Sequence, residues 1–396
     1  MRAEHRQIAF GVGLSLAILA AASLASIAYS ANAPLIRATF DLTEVEVGAI
    51  ASCIYLGATA SSITSGRLTD SLGVGPVLAM SMLALSIGLV VSALAPVAAI
   101  FFAGLVIAGL GYGAVNPPTN VLANPANPRR RALSMSIKQS GVPLGGILAG
   151  FIVPVVAAVT DWRWSLLIPI VACAGLALFS AQLGPMSPAS AEDAGANGPR
   201  TGLRLAHAYT YGFLVAGVQV AVFIFLAVYL VDERGFDPGR AGASLAILLI
   251  GGLIGRPGWG WISDRLHDDR VRVLQVAAVL SATFLALLPL ADGPWLVPVM
   301  IGVGLCSVGW NGVFLALLTE IVPANLIGST TGVAMLLVHL GAVLLPPVIG
   351  LVAAVTGGWL FGWLLCAAAT MVAVVVLHAG RTPHIISVVE GRPHVA

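Results

Sequence analysis

Two short polar stretches, GRLTDSLG at residues 66–73 and GWISDRLH at residues 260–267, decide how the chain is organised. Each follows a long apolar run, and both fit the pattern Gly-x-x-x-Asp-x-Leu. The two aspartates, Asp70 and Asp264, are 264 − 70 = 194 residues apart in a chain of 396. A repeat of this length predicts two copies of one structural unit, as in transporters that bind their substrate between two halves.

The composition around these stretches excludes a soluble globular protein. Of all residues, 58% are hydrophobic and 9% are charged, and the mean hydropathy is +0.98. A soluble chain carries roughly 25% charged residues, because its surface has to be solvated. The chain is therefore an integral membrane protein. Its net charge of +2, without a basic patch that contains aromatic residues, gives no reason to expect a nucleic-acid partner.

Twelve apolar segments are long enough to cross a bilayer, which takes about 20 helical residues. They lie near 8–33, 45–65, 74–95, 97–122, 133–159, 164–184, 206–231, 241–262, 272–291, 294–319, 328–354 and 359–379. The predicted fold class is an all-α membrane protein whose twelve transmembrane helices form two pseudo-symmetric six-helix bundles.

The longest polar insertion separates the sixth segment from the seventh. It reads GPMSPASAEDAGANGPRTGLR at residues 184–204, and its Pro, Gly, Ser and Ala content is typical of a flexible linker. We therefore predict an N-terminal bundle at 1–184, a cytoplasmic linker at 185–205 and a C-terminal bundle at 206–396.

Basic residues in the short loops predict the orientation, because such residues are in excess on the cytoplasmic side. With the N-terminus in the cytoplasm, fourteen of the basic residues lie on or near that side and four lie outside. The fourteen are Arg2, Arg6, Arg67, Arg129, Arg130, Arg131, Lys138, Arg200, Arg204, Arg265, Arg270, Arg272, Arg381 and Arg392, and the four are Arg37, Arg163, Arg234 and Arg240. We expect a multi-pass protein of the cytoplasmic (inner) membrane with both termini in the cytoplasm.

Twelve spans in two halves, a central linker and the repeated Gly-x-x-x-Asp loop resemble the major facilitator superfamily over essentially the whole chain. In that family these loops help to hold the cytoplasmic side in one conformation. The resemblance implies a conformational gate made of Gly66, Asp70, Gly260, Asp264, Arg265, Arg129, Arg130 and Arg131.

The match to the family's loop is partial in the first copy. Arg265 follows the second aspartate, but Ser71 follows the first, and Val74 and Gly75 occupy positions where the family usually has basic residues. We therefore expect Asp70 either to pair with the cluster Arg129–Arg131 or to have no partner.

Ionisable groups within the spans are few, and the sign of their charge restricts which substrates the protein can bind. Every aspartate and glutamate falls in a loop or at a segment end, and the deepest is Glu320. An organic cation would lack a partner in the cavity, so organic cations are disfavoured as substrates. No serine, histidine and acid lie together within the spans, and the four cysteines have no metal-ligand spacing. Neither an enzyme nor a metal or cofactor site is expected.

Arg256, in IGGLIGRPGWGWISDRL at residues 250–266, is the main candidate for substrate binding. It lies six residues before the polar end of the eighth span, or about 9 Å inside. Arginine near the middle of a span costs roughly 2.5–3.5 kcal/mol on insertion scales, so it normally faces water or a partner. Its planar guanidinium binds a carboxylate through two hydrogen bonds. The alternative is an arginine that reaches the membrane surface or pairs with Asp264.

The sequence around Arg256 is similar to that of the eighth helix of the oxalate–formate antiporter, in which an arginine lies eight residues before the loop aspartate. Arginine followed by Pro257 and Gly258 also looks like the monocarboxylate transporters. In both, the resemblance implies that this arginine binds the substrate carboxylate. The monocarboxylate pattern has a proton-accepting aspartate one turn earlier, where this chain has Gly252.

Lys138, the one lysine of the chain, lies about 8 Å inside the fifth segment and is the second candidate anion ligand. The alternative is a lysine that reaches the lipid headgroups. His339 in the eleventh segment is a candidate ligand or proton carrier, since histidine changes charge near neutral pH. The alternative is a histidine that is satisfied by a neighbouring hydroxyl or carbonyl group. The remaining candidate substrate ligands are Asn116, Asn120, Gln139 and Gln219, each of which has polar contact between helices as its alternative role.

The sequence thus predicts a secondary active transporter that moves a small organic anion, a mono- or dicarboxylate, by alternating access, as antiporter or symporter. We expect protons or a counter-anion as co-substrates, the lipid bilayer as surroundings, and a monomer. Two alternatives stay open. The first is an exporter of neutral amphiphilic compounds or drugs, and the second is a transporter-like membrane sensor without transport.

Overall fold

The computed structural model describes residues 2–42, 44–124, 130–184, 203–266, 269–323 and 326–381. In these ranges the chain is almost entirely helical. The helices of the first half are α1 (Arg2–Ala31), α2 (Ala33–Phe40), α3 (Glu44–Leu72), α4 (Val74–Ala93), α5 (Ala98–Ala114), α6 (Asn116–Ala123), α7 (Arg131–Gln139), α8 (Gly141–Val159), α9 (Trp162–Ser165) and α10 (Leu167–Ala181).

Seven α-helices form the described part of the second half. They are α11 (Leu205–Asp232), α12 (Pro238–Arg265), α13 (Arg270–Leu287), α14 (Leu296–Val303), α15 (Asn311–Ile321), α16 (Ile327–Thr356) and α17 (Trp359–Ala379). Eleven segments of the described chain are long and apolar enough to cross a membrane. The 29-residue helix α3 lies where the second predicted span was expected. The predicted all-α fold with twelve transmembrane helices is confirmed.

Several predicted spans are interrupted rather than continuous, among them the fifth between α7 and α8 and the sixth between α9 and α10. The fourth breaks between α5 and α6, where Pro117 and Pro118 lack the backbone N–H groups that a continuous helix needs. The tenth contains a π-helical segment, Gly304–Val308, between α14 and α15. In the eighth span, Pro257 lies inside α12 without ending it.

Glycines allow neighbouring helices to touch through their backbones. A Cβ placed on Gly57 of α3 would lie 2.3 Å from the carbonyl oxygen of Val106 in α5, and one on Gly109 would lie 2.2 Å from that of Ile54. Gly141 and Gly145 of α8 bring the fifth span equally close to α1, at 2.4 and 2.1 Å from carbonyl oxygens. Small residues permit such close approach in membranes.

The buried apolar residues form three clusters. One draws only on the first six spans and includes Met82 and Phe101, and another draws only on the last six and includes Trp363. The third combines both halves, for example Met135 with Phe314. It lies towards the end of the molecule that carries Asp70 and Asp264, which we call the Asp70–Asp264 end. The two halves are therefore sealed together at that end.

Several predictions fall outside the described residues. These are the gate residue Arg129, most of the linker, and the basic residues Arg200 and Arg392 used for orientation. The described helices stop at Ala181 and resume at Leu205. The domain boundaries at 184 and 206, like the orientation, stay predictions.

Candidate functional site

Arg256 lies on α12 and points into the contact between the halves. Its side chain is buried, with 2% of its surface exposed. Its Nε donates to the carbonyl oxygen of Val308 at 3.2 Å, and one Nη donates to the carbonyl oxygen of Gln139 in the other half. Among the described residues no carboxylate lies within ion-pair distance of Arg256. The arginine neither reaches the membrane surface nor pairs with Asp264.

The π-helical segment explains how a side chain of α12 reaches backbone carbonyls. A π turn shifts the hydrogen-bond ladder and leaves carbonyls free, often at functional sites. Val308 offers its carbonyl to Arg256, and Leu305 accepts a hydrogen bond from Trp259 Nε1 at 2.9 Å. Gly255, whose Cβ would lie 2.4 Å from the Leu305 oxygen, lets α12 come this close.

Lys138 is fully buried and does not reach the lipid headgroups. Its Nζ donates to Oδ1 of Asn120, whose Nδ2 donates to Thr331 Oγ1 in the other half at 3.0 Å. Lys138 therefore binds Asn120 of its own half, and Arg256 of the other half binds the carbonyl oxygen of Gln139, the residue after Lys138. The two cations thus bind near each other, although they bind no common atom.

The candidate amides form two further bridges near Arg256. Gln139 Nε2 donates to Asn311 Oδ1 of α15 at 2.9 Å and to Asn116 Oδ1 at 3.4 Å. Gln219 is held separately, since its Oε1 accepts from Trp310 Nε1 at 2.8 Å. Asn116, Gln219 and Asn311 are partly exposed, whereas Gln139 is buried. The polar set thus extends from the sealed interior to accessible space.

His339 on α16 faces the first half of the chain. Its Nδ1 lies 3.3 Å from Oγ of Ser62 on α3. The rings of Tyr55 and Tyr112 lie 6.0 and 6.3 Å from the imidazole, centroid to centroid. Of the predicted substrate ligands, all but Gln219 contact a residue of the other half directly or through one neighbour, and Gln219 binds Trp310 of its own half.

The sequence prediction missed several residues of this site. Tyr112 lies four residues before Asn116 in the fourth span, and a continuous helix there would have placed the two residues on one face. Tyr55 and Asn311 carry no comparable signal, because only the packing of the helices places them here.

The predicted gate residues lie at the Asp70–Asp264 end. Asp70 accepts from the backbone N–H groups of Gly328 and Ser329 at 3.0 and 2.8 Å, and from the Ser329 hydroxyl. Asp264 accepts from Ala132 and Leu133 in the same way, at 3.0 and 2.8 Å. The expectation that Asp70 pairs with the arginine cluster or has no partner is wrong, because it caps a helix of the other half.

Charges surround the second of these contacts. Arg270 binds Asp264 at 3.1 Å and Glu320 at 2.7 Å, and Arg131 lies 3.9 Å from Glu320. Arg265, the predicted gate cation, stacks over Trp261 with 4.2 Å between its Cζ and the ring centroid. Arg130 is exposed at the start of α7.

Two helical bundles that enclose buried cations and amides at their interface define a membrane carrier. The family model of the Major Facilitator Superfamily matches residues 14–346, and the chain belongs to that superfamily. It is a secondary transporter and not an enzyme. Carriers of this kind move small molecules across a lipid bilayer, often together with protons.

Individual relatives agree with the fold and the class. The chain is 26% identical over 333 residues to the gentisate transporter of Corynebacterium glutamicum, covering 80% of this chain and 74% of that protein. It is 24% identical over 330 residues to monocarboxylate transporter 13 of Rattus norvegicus, covering 81% and 77%. The structure of a proton:xylose symporter bound to 6-bromo-6-deoxy-D-glucose superposes with a TM-score of 0.80 at 13% identity, covering 95% and 96%.

Proposed function

We propose that this carrier moves a small organic anion, a mono- or dicarboxylate, and that Arg256 binds the carboxylate. The observation behind the proposal is a buried guanidinium at the interface of the halves that has two neutral carbonyl partners and no acid among the described residues. Arginine has five N–H donors and stays charged, so donors and an uncompensated charge remain for an anion.

The neighbours of Arg256 suit such a substrate. Lys138 adds a second buried cation, which would attract a second carboxylate or the far oxygen of the first. Asn116, Asn120, Gln139 and Gln219 supply hydrogen bonds, and His339 is the candidate proton carrier. The relatives named as gentisate and monocarboxylate transporters carry anions of this class, which supports the assignment.

The transport cycle follows from the contacts at the Asp70–Asp264 end. With this end closed, we expect the substrate to enter from the opposite side, and Asn116 and Asn311 near Arg256 are partly exposed. We place the closed end in the cytoplasm, with both termini on that side. Anion binding would replace the hydrogen bond from Arg256 to Gln139, which joins the halves. Release of that contact, followed by opening of the two aspartate contacts, would give access to the cytoplasm as a monomer rocks between its two states.

The test is uptake of labelled carboxylates by liposomes that contain the purified protein. Arg256→Ala removes the proposed ligand, and Arg256→Lys keeps the charge but removes the planar fork, so both should lower uptake at least about 100-fold, as for a buried charge pair that has lost a partner. Arg240→Ala is the matched control, because Arg240 lies on the same helix but stacks on Phe236, 4.6 Å from the ring centroid and away from the site.

Normal uptake by folded Arg256→Ala protein would refute the anion assignment. Resistance of cells to amphiphilic drugs without carboxylate uptake would favour the exporter alternative, and the absence of any flux would favour the sensor.

A further inference from the structure

Three aromatic rings from both halves form a wall beside the proposed anion site. Tyr55 of α3 and Tyr112 of α5 each face His339 of α16, with interplanar angles of 48° and 40°. Both tyrosines are partly exposed, although His339 is buried. Because His339 belongs to the other half, the two tyrosine rings lie at the interface between the halves.

Backbone contact between α3 and α5 sets the two tyrosines side by side. Gly57, Gly109 and Gly113 each leave no room for a Cβ, which would lie 2.2–2.3 Å from a carbonyl oxygen of the facing helix. The contact places Tyr55 and Tyr112 beside the same His339 ring. The wall is therefore built on close helix packing in the first half.

The wall lies next to the guanidinium that would hold the carboxylate. Tyr112 lies in the last turn of α5, and four residues further on Asn116, the first residue of α6, contacts Gln139, whose carbonyl oxygen binds Arg256. The wall is therefore connected to the proposed anion site through Asn116 and Gln139.

The two tyrosines differ from those with a structural role. Tyr209, Tyr211 and Tyr229 each direct the phenol hydroxyl at a backbone carbonyl oxygen, at 3.2–3.4 Å. Among the described residues, Tyr29, Tyr55 and Tyr112 have no hydrogen-bond partner for the hydroxyl, but Tyr29 is fully buried whereas Tyr55 and Tyr112 are partly exposed. Rings that are partly exposed at the interface and whose hydroxyls have no protein partner are suited to contact a ligand.

We propose that this wall selects an aromatic carboxylate, whose ring packs on Tyr55 and Tyr112 while its carboxylate binds Arg256. The proposal rests on the proposed function, since it needs the anion at Arg256. Aromatic pairs add an affinity that corresponds to roughly threefold to tenfold beyond that of an equal apolar area. A saturated ring of the same size has the same charge but lacks this contribution.

The experiment measures binding of benzoate and of cyclohexanecarboxylate to the purified full-length protein by calorimetry. We expect benzoate to bind roughly threefold to tenfold more tightly. Tyr112→Leu and Tyr55→Leu should remove most of this preference, so that the ratio of the two affinities falls towards one. Tyr112→Phe and Tyr55→Phe keep the rings and should keep the preference, which also controls for folding.

Two outcomes would overturn the inference, and they are distinguishable. Equal affinity for both anions, with binding of both lost in Arg256→Ala, removes the aromatic preference but leaves the anion carrier. Binding of neither anion removes the proposed function and this inference together.

Discussion

The two aspartate contacts at the Asp70–Asp264 end use one geometry with different surroundings. Asp70, from the first half, accepts from the second and third residues of α16, and Asp264, from the second half, accepts from the second and third residues of α7. Each aspartate thus caps a helix of the opposite half. We call these contacts the Asp70 cap and the Asp264 cap.

Both caps satisfy a need that the capped helix cannot meet itself. The first N–H groups of a helix lack partners within the helix, and a Ser, Thr, Asp or Asn just before it usually accepts from them. Here Arg130 precedes α7 and Leu326 precedes α16, and neither side chain accepts a cap hydrogen bond. A carboxylate from the other half fills the place and is further favoured by the helix dipole.

The glycine of the Gly-x-x-x-Asp pattern has a matching role in both caps. A Cβ on Gly66 would lie 2.5 Å from the carbonyl oxygen of Gly328, and one on Gly260 would lie 2.6 Å from Oγ of Ser136. One turn before the aspartate, each glycine lets its helix touch the helix that the aspartate caps. The pattern therefore encodes a backbone contact between halves as well as a charge.

The difference lies in what else each aspartate binds. The Asp264 cap includes Arg270, and the two side chains are only 8% and 9% exposed. Glu320 and Arg131 extend the network across the halves. The Asp70 cap instead adds one neutral group, the hydroxyl of Ser329. We infer that the Asp264 cap contributes more to keeping this end closed.

The largest predicted effect is that of Asp264→Asn. It leaves Arg270 without one of its two acids and removes the charge at the start of α7, and loss of one partner of a buried pair costs about 3 kcal/mol. Amide hydrogen exchange at Ala132 and Leu133 should therefore accelerate about 100-fold, because these amides have no other acceptor.

The amides of Gly328 and Ser329 are the internal control for this variant, since they belong to the other cap. Unchanged exchange at Ala132 and Leu133 would contradict the assignment of Asp264 as their acceptor.

Asp70→Asn should have a smaller effect. The amide keeps one acceptor oxygen, and no buried cation among the described residues loses its partner, so we expect a cost of about 1–2 kcal/mol. Exchange at Gly328 and Ser329 should accelerate about 5- to 30-fold. A response equal to that of Asp264→Asn at its own cap would show that the network around Arg270 adds nothing.

Much of this architecture was predictable from sequence because it depends on composition and repetition. Apolar runs of sufficient length predict the spans. Arg256 and Lys138 stand out because charged residues are rare in an apolar chain. The caps were only half predictable. The repeat identified Asp70 and Asp264, and we predicted side-chain partners for them. Their partners are backbone N–H groups of distant helices, which leave no signature in the sequence.

The rest of the site depends on tertiary contacts. The π-helical segment Gly304–Val308 is stabilised by side chains of α12, and the tenth span alone reads as a continuous apolar helix. Tyr55 likewise looks like any aromatic residue in a span, because its place in the site depends on the close packing of α5 on α3 at Gly109. Patterns within one segment do not contain this information.

The smallest predicted effect concerns the hydroxyl of Ser329, which can be removed from the Asp70 cap and introduced into the Asp264 cap. Ser329 and Leu133 occupy the same position, the third residue of the capped helix, and only Ser329 carries a hydroxyl that reaches the aspartate. Ser329→Ala should cost about 1 kcal/mol and accelerate exchange at Gly328 about fivefold, because the carboxylate keeps both backbone donors. Leu133→Ser, the reciprocal change, should slow exchange at Ala132 by no more than this factor, since Arg270 already binds Asp264. If Ser329→Ala instead matched Asp70→Asn, the hydroxyl rather than the helix start would be the main partner of Asp70, and the similarity of the two caps would be limited to their distances.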